Sequence, residues 1–311
     1  MVRTLMETRL LDKHSMKQIL NSLNSLTVAS VATIALAYPS IAQVNLSVYP
    51  APSSSNESIE LYVPPPENNN TNNNTCTQLI GANIDKVISQ APNQWGILIE
   101  SIDRQTVIYS HNADRYFIPA SNTKLFTTAA ALQAMNPETT IRKKSLRDWV
   151  NITNQRSNNF YADTLFRFIG GSKSVTAILA QLGINPSGFR LADGSGLSRR
   201  NNATPRSIVE ILRVMYYSPN RDTFYASLPV AGISGTLRNR MRQTAATGTV
   251  YAKTGTLTGV RALSGYLENP NQEPMLFSII VNNQRVSGQA LVKAIDTIVL
   301  QMTESRSCQA Q

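Results

Sequence analysis

Three short groups of residues in this 311-residue chain could perform acyl chemistry together. The first is Ser121-Asn122-Thr123-Lys124. Residues three apart on a helix share a face, so the Lys124 amine can lie beside the Ser121 hydroxyl. Pro119 stands just ahead, where a helix tolerates a missing N–H, and the run from Lys124 to Met135 is rich in Ala and Leu with no breaker before Asn136-Pro137. A serine at such a helix start has free backbone N–H groups and the positive end of the dipole beside it, which suits a nucleophile and an oxyanion. Most Ser-x-x-Lys serines are caps or solvated surface. This one is the sole copy in the chain, and it puts a lysine into an apolar helix. The second group, Ser157-Asn158-Asn159, carries nothing alone, because Ser-x-Asn recurs at Ser22, Ser54, Ser110 and Ser218. The third, Lys253-Thr254-Gly255-Thr256, contains the only Lys-Thr-Gly and reads as the end of a strand. Cleavage through an acyl-enzyme needs a deprotonated hydroxyl, an oxyanion site and a proton donor for the leaving amine. His14 and His111 are the only histidines, which leaves no Ser-His-Asp triad, and no His/Cys/Asp/Glu spacing suits a metal.

The order Ser-x-x-Lys, Ser-x-Asn, Lys-Thr-Gly is the one used by active-site serine enzymes that act on β-lactams and D-Ala-D-Ala peptides. Longer stretches carry the likeness further: 120–132, Asp193-Gly194-Ser195-Gly196-Leu197-Ser198-Arg199, Leu228-Pro229-Val230-Ala231-Gly232, Gly235-Thr236-Leu237 and 252–260. Over residues 79–300 the chain resembles the class C low-molecular-mass penicillin-binding proteins, the D-alanyl-D-alanine carboxypeptidase/endopeptidases. The resemblance implies Ser121 as nucleophile and Lys124 as base, its pKa lowered by burial and by the charge of Lys253. It implies Ser157 as proton relay to the leaving amine, and Asn159 as holder of Lys124 and of the substrate amide. Lys253 and Thr254 would bind the terminal carboxylate, with Gly255 letting the strand edge approach the substrate. The N–H groups of Ser121 and Thr256 would form the oxyanion hole. Asp193 is placed with the substrate-binding residues of a cleft-lining loop, but as a chemical participant the plainer reading is preferred, an Asp that caps N–H groups in its own Gly-rich turn. The partners implied are peptidoglycan stem peptides ending in D-Ala-D-Ala, with β-lactams as inhibitors and no cofactor. One departure is large. Family members usually carry long inserted domains between the first two motifs, where this chain has only residues 133–156, with 135–144 as a short bypass.

Two alternatives stay open. A β-lactamase needs a group that activates water, and class A enzymes use a Glu followed four residues later by Asn. Glu210 is the only Glu between the second and third motifs, and Val214 follows at that spacing. A peptidoglycan-binding relative without catalysis is the other.

The elements that must position these groups are legible from periodicity. Residues 79–88 read as a helix, 95–101 and 106–110 as a hairpin, and 146–153, 158–168, 172–182 and 206–217 as helices. Residues 248–253, 259–267 and 275–281 read as strands and 287–302 as a last helix. Strands at both ends with helices between predict an α+β domain of the β-lactamase/transpeptidase kind. An antiparallel sheet (76–118 and 231–308) is flanked by terminal helices, a helical part (119–230) is inserted, and the cleft lies at the seam.

Residues 1–42 read as a secretory signal: Arg3, Arg9, Lys13 and Lys17, an apolar run from Leu26 to Tyr38, then Ser40-Ile41-Ala42. The run is too short for a permanent membrane anchor, so export to the periplasm or cell envelope is expected. Removing it leaves a formal charge of about +8 from the whole chain's +10. That charge is spread out, with no basic arm or aromatic-basic pattern for nucleic acid. Residues 43–75, rich in Pro, Asn and Ser, read as a disordered tether. Cys76 and Cys308 flank the globular region and are the disulfide candidates of an oxidising compartment.

Overall fold

The computed structural model describes residues 75–270 and 272–304. The signal segment, nearly all of the tether and the Cys76–Cys308 pairing fall outside the described residues and side chains. In chain order the elements begin with α1 (Thr75–Ile88), β1 (Trp95–Ser101) and β2 (Val107–His111). Next come a 3₁₀ turn at Ala120–Asn122, α2 (Thr123–Ala134), β3 (Thr140–Ile141) and β4 (Lys144–Ser145). Then follow α3 (Leu146–Gln155), α4 (Asn159–Phe168), α5 (Gly171–Gln181), β5 (Phe189–Arg190), β6 (Asn202–Ala203), α6 (Pro205–Tyr217) and α7 (Arg221–Ala226). The chain closes with β7 (Val250–Leu257), β8 (Val260–Leu267), β9 (Met275–Asn282) and α8 (Gly288–Glu304).

One antiparallel sheet has the order β2-β1-β9-β8-β7. All seven residues of β1 are buried, because both faces of the sheet are covered. Ile97 and Ile99 pack with Ile84, Ile88, Ile295 and Val299 of the terminal helices α1 and α8. Leu98 points the other way, into a core with Phe126, Leu165, Ile208 and Leu212 from the inserted helices. The period of two thus assigns alternate residues to two cores, one on each side of the sheet. Among the described residues no helix is long and apolar enough to cross a membrane.

α2 is the axis of the helical half. Every residue from Thr123 to Leu132 is buried, so the helix has no solvent face. Ala129, Ala130 and Ala131 let its neighbours approach closely. Local signals fix the other helix starts: Ser145, Asn158 and Thr204 accept hydrogen bonds from the N–H groups of Asp148, Tyr161 and Ser207.

Three features differ from the sequence reading. The strand expected to stop at Lys253 runs on to Leu257, paired with β8 over its whole length, so Lys253-Thr254-Gly255 lies in mid-strand. Threonines favour the pleated surface, and the turn waits for Thr258-Gly259. Ser121 sits in the 3₁₀ turn before the α-helix rather than in its first turn. The segment 135–144 is partly ordered as one arm of a small hairpin: Ile141 pairs with Lys144 around Arg142 and Lys143, whose φ values are +45° and +68°.

A two-residue turn with both φ values positive favours Asn-Gly. Replacing Arg142 by Asn together with Lys143 by Gly should therefore stabilise the protein by about 0.5–1 kcal/mol, raising Tm by roughly 1–4 °C in a calorimetric scan. An unchanged or lower Tm would show that the two basic side chains contribute more than the turn conformation costs.

Candidate active site

The site forms where the 3₁₀ turn, α2, α4, the loop 193–198 and β7 meet. Ser121 is partly exposed, while Lys124 is wholly buried. The Lys124 Nζ donates to Ser121 Oγ at 3.0 Å, to Asn159 Oδ1 at 2.8 Å and to the Ser195 carbonyl at 2.6 Å. An ammonium has three donors, and here each finds an acceptor. Lys253, also wholly buried, donates to Ser157 Oγ and to the Thr254 carbonyl, both at 2.9 Å. Ser157 holds φ at +50° in the link between α3 and α4, which aims its side chain back at β7. The structure thus ties Ser121 and Asn159 to Lys124, and Ser157 to Lys253, in two hydrogen-bonded groups whose lysines lie close enough to repel.

Burial brings the Lys124 pKa down to about 8, against the pull of Asp163 and Asp193, whose charges favour the ammonium. Lys253 is disfavoured as a cation too. Burial first, and then the Lys124 charge, hold Lys253 well below the ordinary lysine value.

The nucleophile turn is held under constraint. Ala120, buried, has φ +49°, and its carbonyl accepts from Thr123 Oγ1 at 2.8 Å. Gly196, with φ +84°, lies so close that a Cβ there would sit 1.9 Å from the Ala120 oxygen. Asn122 Nδ2 ties the turn to the sheet by donating to Ser264 Oγ at 2.7 Å.

Gly255 gains a packing role, and Asp193 takes the plainer of its two readings. A Cβ on Gly255 would meet the Pro119 carbonyl at 2.7 Å and the Ala262 Cβ at 2.9 Å. The missing side chain makes room for the nucleophile turn. Asp193 does not present a free carboxylate to the cleft. Its oxygens accept from the N–H groups of Gly196 at 2.6 Å and Ser198 at 2.7 Å, and from Asn201 Nδ2 at 2.9 Å. It shapes the loop that offers the Ser195 carbonyl. Thr254 Oγ1 lies 2.8 Å from Thr236 Oγ1, and the Thr256 side chain is exposed on β7.

Sequence reasoning missed Ser195, Thr236, Asn122 and Asp163. A carbonyl acceptor leaves no trace in residue type, so Ser195 had no signal. Asp163 had one, since it follows Asn159 by four residues and so shares its helix face. Glu210 lies elsewhere. It is on α6, its Oε2 accepts from the Asn185 N–H at 3.2 Å, and with Asp114, Tyr116 and Arg206 it lines a separate cavity of about 170 Å³. Among the described residues no group of three His, Cys, Asp or Glu is arranged to hold a metal ion.

The sheet, its insertion and this cluster define a domain of the β-lactamase/transpeptidase fold. Penicillin binding protein 4 (dacB) from Haemophilus influenzae superposes with a TM-score of 0.61 at 15% identity, covering 71% of this chain and 99% of that one. A class A β-lactamase from Clostridium kluyveri superposes with a TM-score of 0.59 at 16% identity, covering 73% and 99%. The chain belongs to the D-Ala-D-Ala carboxypeptidase 3 (S13) family, whose profile matches residues 80–144 and 139–304. The two matches meet on the β3–β4 hairpin. A D-alanyl-D-alanine carboxypeptidase of Actinomadura sp. is 42% identical over 170 residues, 50% of this chain and 31% of that protein. A penicillin-sensitive carboxypeptidase A of Dictyostelium discoideum is 36% identical over 179 residues, 51% and 34%. The chain thus spans about a third of the length of the curated relatives it matches.

Gly196→Ala should force the loop off the Ala120 carbonyl as well as straining its own backbone. A loss of about 1–3 kcal/mol in urea unfolding is expected. A variant as stable as the parent would mean that the loop is free to move away from the turn.

Proposed function

We propose that the protein is a serine-type D-Ala-D-Ala carboxypeptidase, exported to the periplasm or envelope, that trims peptidoglycan stem peptides through an acyl-enzyme and is acylated by β-lactams. The observation that carries this reading is the contact between Lys124 Nζ and Ser121 Oγ, in a site where the amine's other partners are fixed. Asn159 Oδ1 and the Ser195 carbonyl can only accept, so they hold two N–H bonds whatever the protonation state. Only the serine contact can reverse. When Lys124 is neutral, its lone pair points at Ser121, and the hydroxyl donates to it. The base is therefore aimed before the substrate arrives, and its pKa near 8 leaves a useful neutral fraction at physiological pH.

Ser121 Oγ then attacks the carbonyl of the penultimate D-alanine. The N–H groups of Ser121 and Thr256 receive the oxyanion. Ser157, hydrogen-bonded to Lys253, is the route for the proton to the leaving nitrogen. Lys253 and the Thr254 hydroxyl take the terminal carboxylate, a charge-assisted contact that also offsets the buried cation. Asp193 acts by holding its loop. Water then releases the acyl group. The same chemistry opens a cross-link whose D-alanyl carbonyl enters the cleft. The relatives' names, a D-alanyl-D-alanine carboxypeptidase and a penicillin-sensitive carboxypeptidase, support the reading. Glu210 lies outside the site, which favours a long-lived penicilloyl adduct over β-lactamase turnover.

Incubation of residues 43–311 with penicillin G should add one penicilloyl mass, which peptide mapping places on Ser121. Ser121→Ala should give no adduct; an adduct that persists in that variant defeats the assignment. Lys124→Ala should slow acylation by roughly 10²–10⁴-fold.

The acylation rate should also follow the neutral fraction of Lys124. The ammonium cannot accept a proton, so the rate should climb as pH rises through about 8. A rate that is flat from pH 6 to 9, or that falls, removes Lys124 as the base.

A further inference from the structure

We infer that Asp163 is a positioning residue of this site: it latches the loop 193–198 to α4 so that the Ser195 carbonyl holds Lys124, and it brings a carboxylate to the α4 face that carries Asn159. The inference rests on the reading of Lys124 as base.

Asp163 stands one helical turn beyond Asn159 on α4, on the same face. Asn159 reaches Lys124 directly, with 2.8 Å between Nζ and Oδ1. Asp163 reaches it through the loop, because its Oδ1 accepts from the Gly194 N–H at 3.0 Å. The Gly194 carbonyl in turn accepts from Thr127 Oγ1 at 2.9 Å, and Thr127 lies one turn beyond Lys124 on α2. The next carbonyl, that of Ser195, accepts from Lys124 Nζ at 2.6 Å. The loop is therefore gripped from two helices at Gly194, and the residue so fixed immediately precedes the one whose carbonyl orients the amine. Without the Asp163 contact, Gly194 would lose its hydrogen bond to α4 and keep there only its packing against Ala162 and Phe166.

Three charged groups face Lys124: Asp163 from α4, Asp193 from the loop and Lys253 from β7. Asp193 already shares its charge among the N–H groups of Gly196 and Ser198 and the Asn201 amide. Asp163 is the carboxylate that can be neutralised without dismantling the loop's own turn. Its removal favours the neutral amine, so Lys124 should titrate at lower pH.

Asp163→Asn keeps an acceptor for the Gly194 N–H and deletes the charge. Its penicillin G acylation profile should keep its plateau, while the midpoint moves down from about 8 by roughly half to one pH unit. Asp163→Ala also releases the loop and should lower the acylation rate about tenfold or more at every pH, as small misplacements do. A purely structural Asp163 would change rate and Tm together and leave the Asn variant's midpoint in place. That result, or an upward move, overturns the inference. Should Asp163→Ala fail to fold, the Asn variant decides alone. Wild-type protein that forms no adduct defeats the functional reading instead. In that case titration of the Lys124 Cε resonance by NMR, in wild type and Asp163→Asn, still shows whether Asp163 acts on Lys124; equal midpoints overturn it.

Discussion

The structure depends on one buried amine. Lys124 sits in a helix with no solvent face, and an ammonium there is tolerated only because three acceptors from three separate parts of the chain surround it. Burial wins over the two nearby carboxylates, which is why the pKa falls from 10.5 to about 8 rather than rising. Holding the lysine in that state corresponds to about 3 kcal/mol relative to a solvated one. Such a sum is tolerable for a domain with two well-filled cores, one on each side of the sheet. Each contact to Lys124 also dictates geometry elsewhere. Asn159 fixes the rotation of α4, Ser195 fixes the loop, and Ser121 fixes the 3₁₀ turn against the sheet.

Close packing around the nucleophile follows from the same demand. The turn bearing Ser121 is pressed between Gly196 on one side and Gly255 on the other, at distances that leave no room for a Cβ. Ala120 accepts a left-handed backbone between them. Strain of this kind persists only where the surroundings over-determine it. Here Thr123, Asn122 with Ser264, and the two glycine contacts supply that over-determination. The glycines of the second half of the chain thus serve the nucleophile through packing.

Much of this was legible in the residues and some of it could not be. The α+β architecture followed from strands at both ends and helices between, because the β1 and β9 runs are too apolar for edge strands and the amphipathic helices carry their caps in sequence. The motif residues Ser121, Lys124, Ser157, Asn159 and Lys253 were legible through order and spacing. The end of β7 was misplaced because Lys-Thr-Gly-Thr looks like a breaker, whereas Gly255 is retained in mid-strand by the turn packed against it. The Gly-rich setting of Asp193 pointed to an Asp that caps its own turn, and the particular partners, Ser198 and Asn201, become visible only once the loop is folded. Burial leads the Lys124 shift, as its place in an apolar helix implied, and the mutual repulsion of the two lysines is the second part of the same balance.

That last point bears on how the site works. Two fully buried lysines, Lys124 and Lys253, each hold a serine, Ser121 and Ser157, and both are disfavoured as cations. Lys124 has Asp163 and Asp193 to favour its charge, whereas Lys253 is wholly buried beside another cation. On the proposed reading the substrate supplies the missing anion. A carboxylate arriving at Lys253 stabilises that ammonium and screens its repulsion of Lys124. The cation that gains most from an anionic ligand is thus the one placed to bind it, and the cation already balanced by the protein is the one left to exchange a proton with Ser121. The division of labour between the two lysines follows from where the chain put its acids.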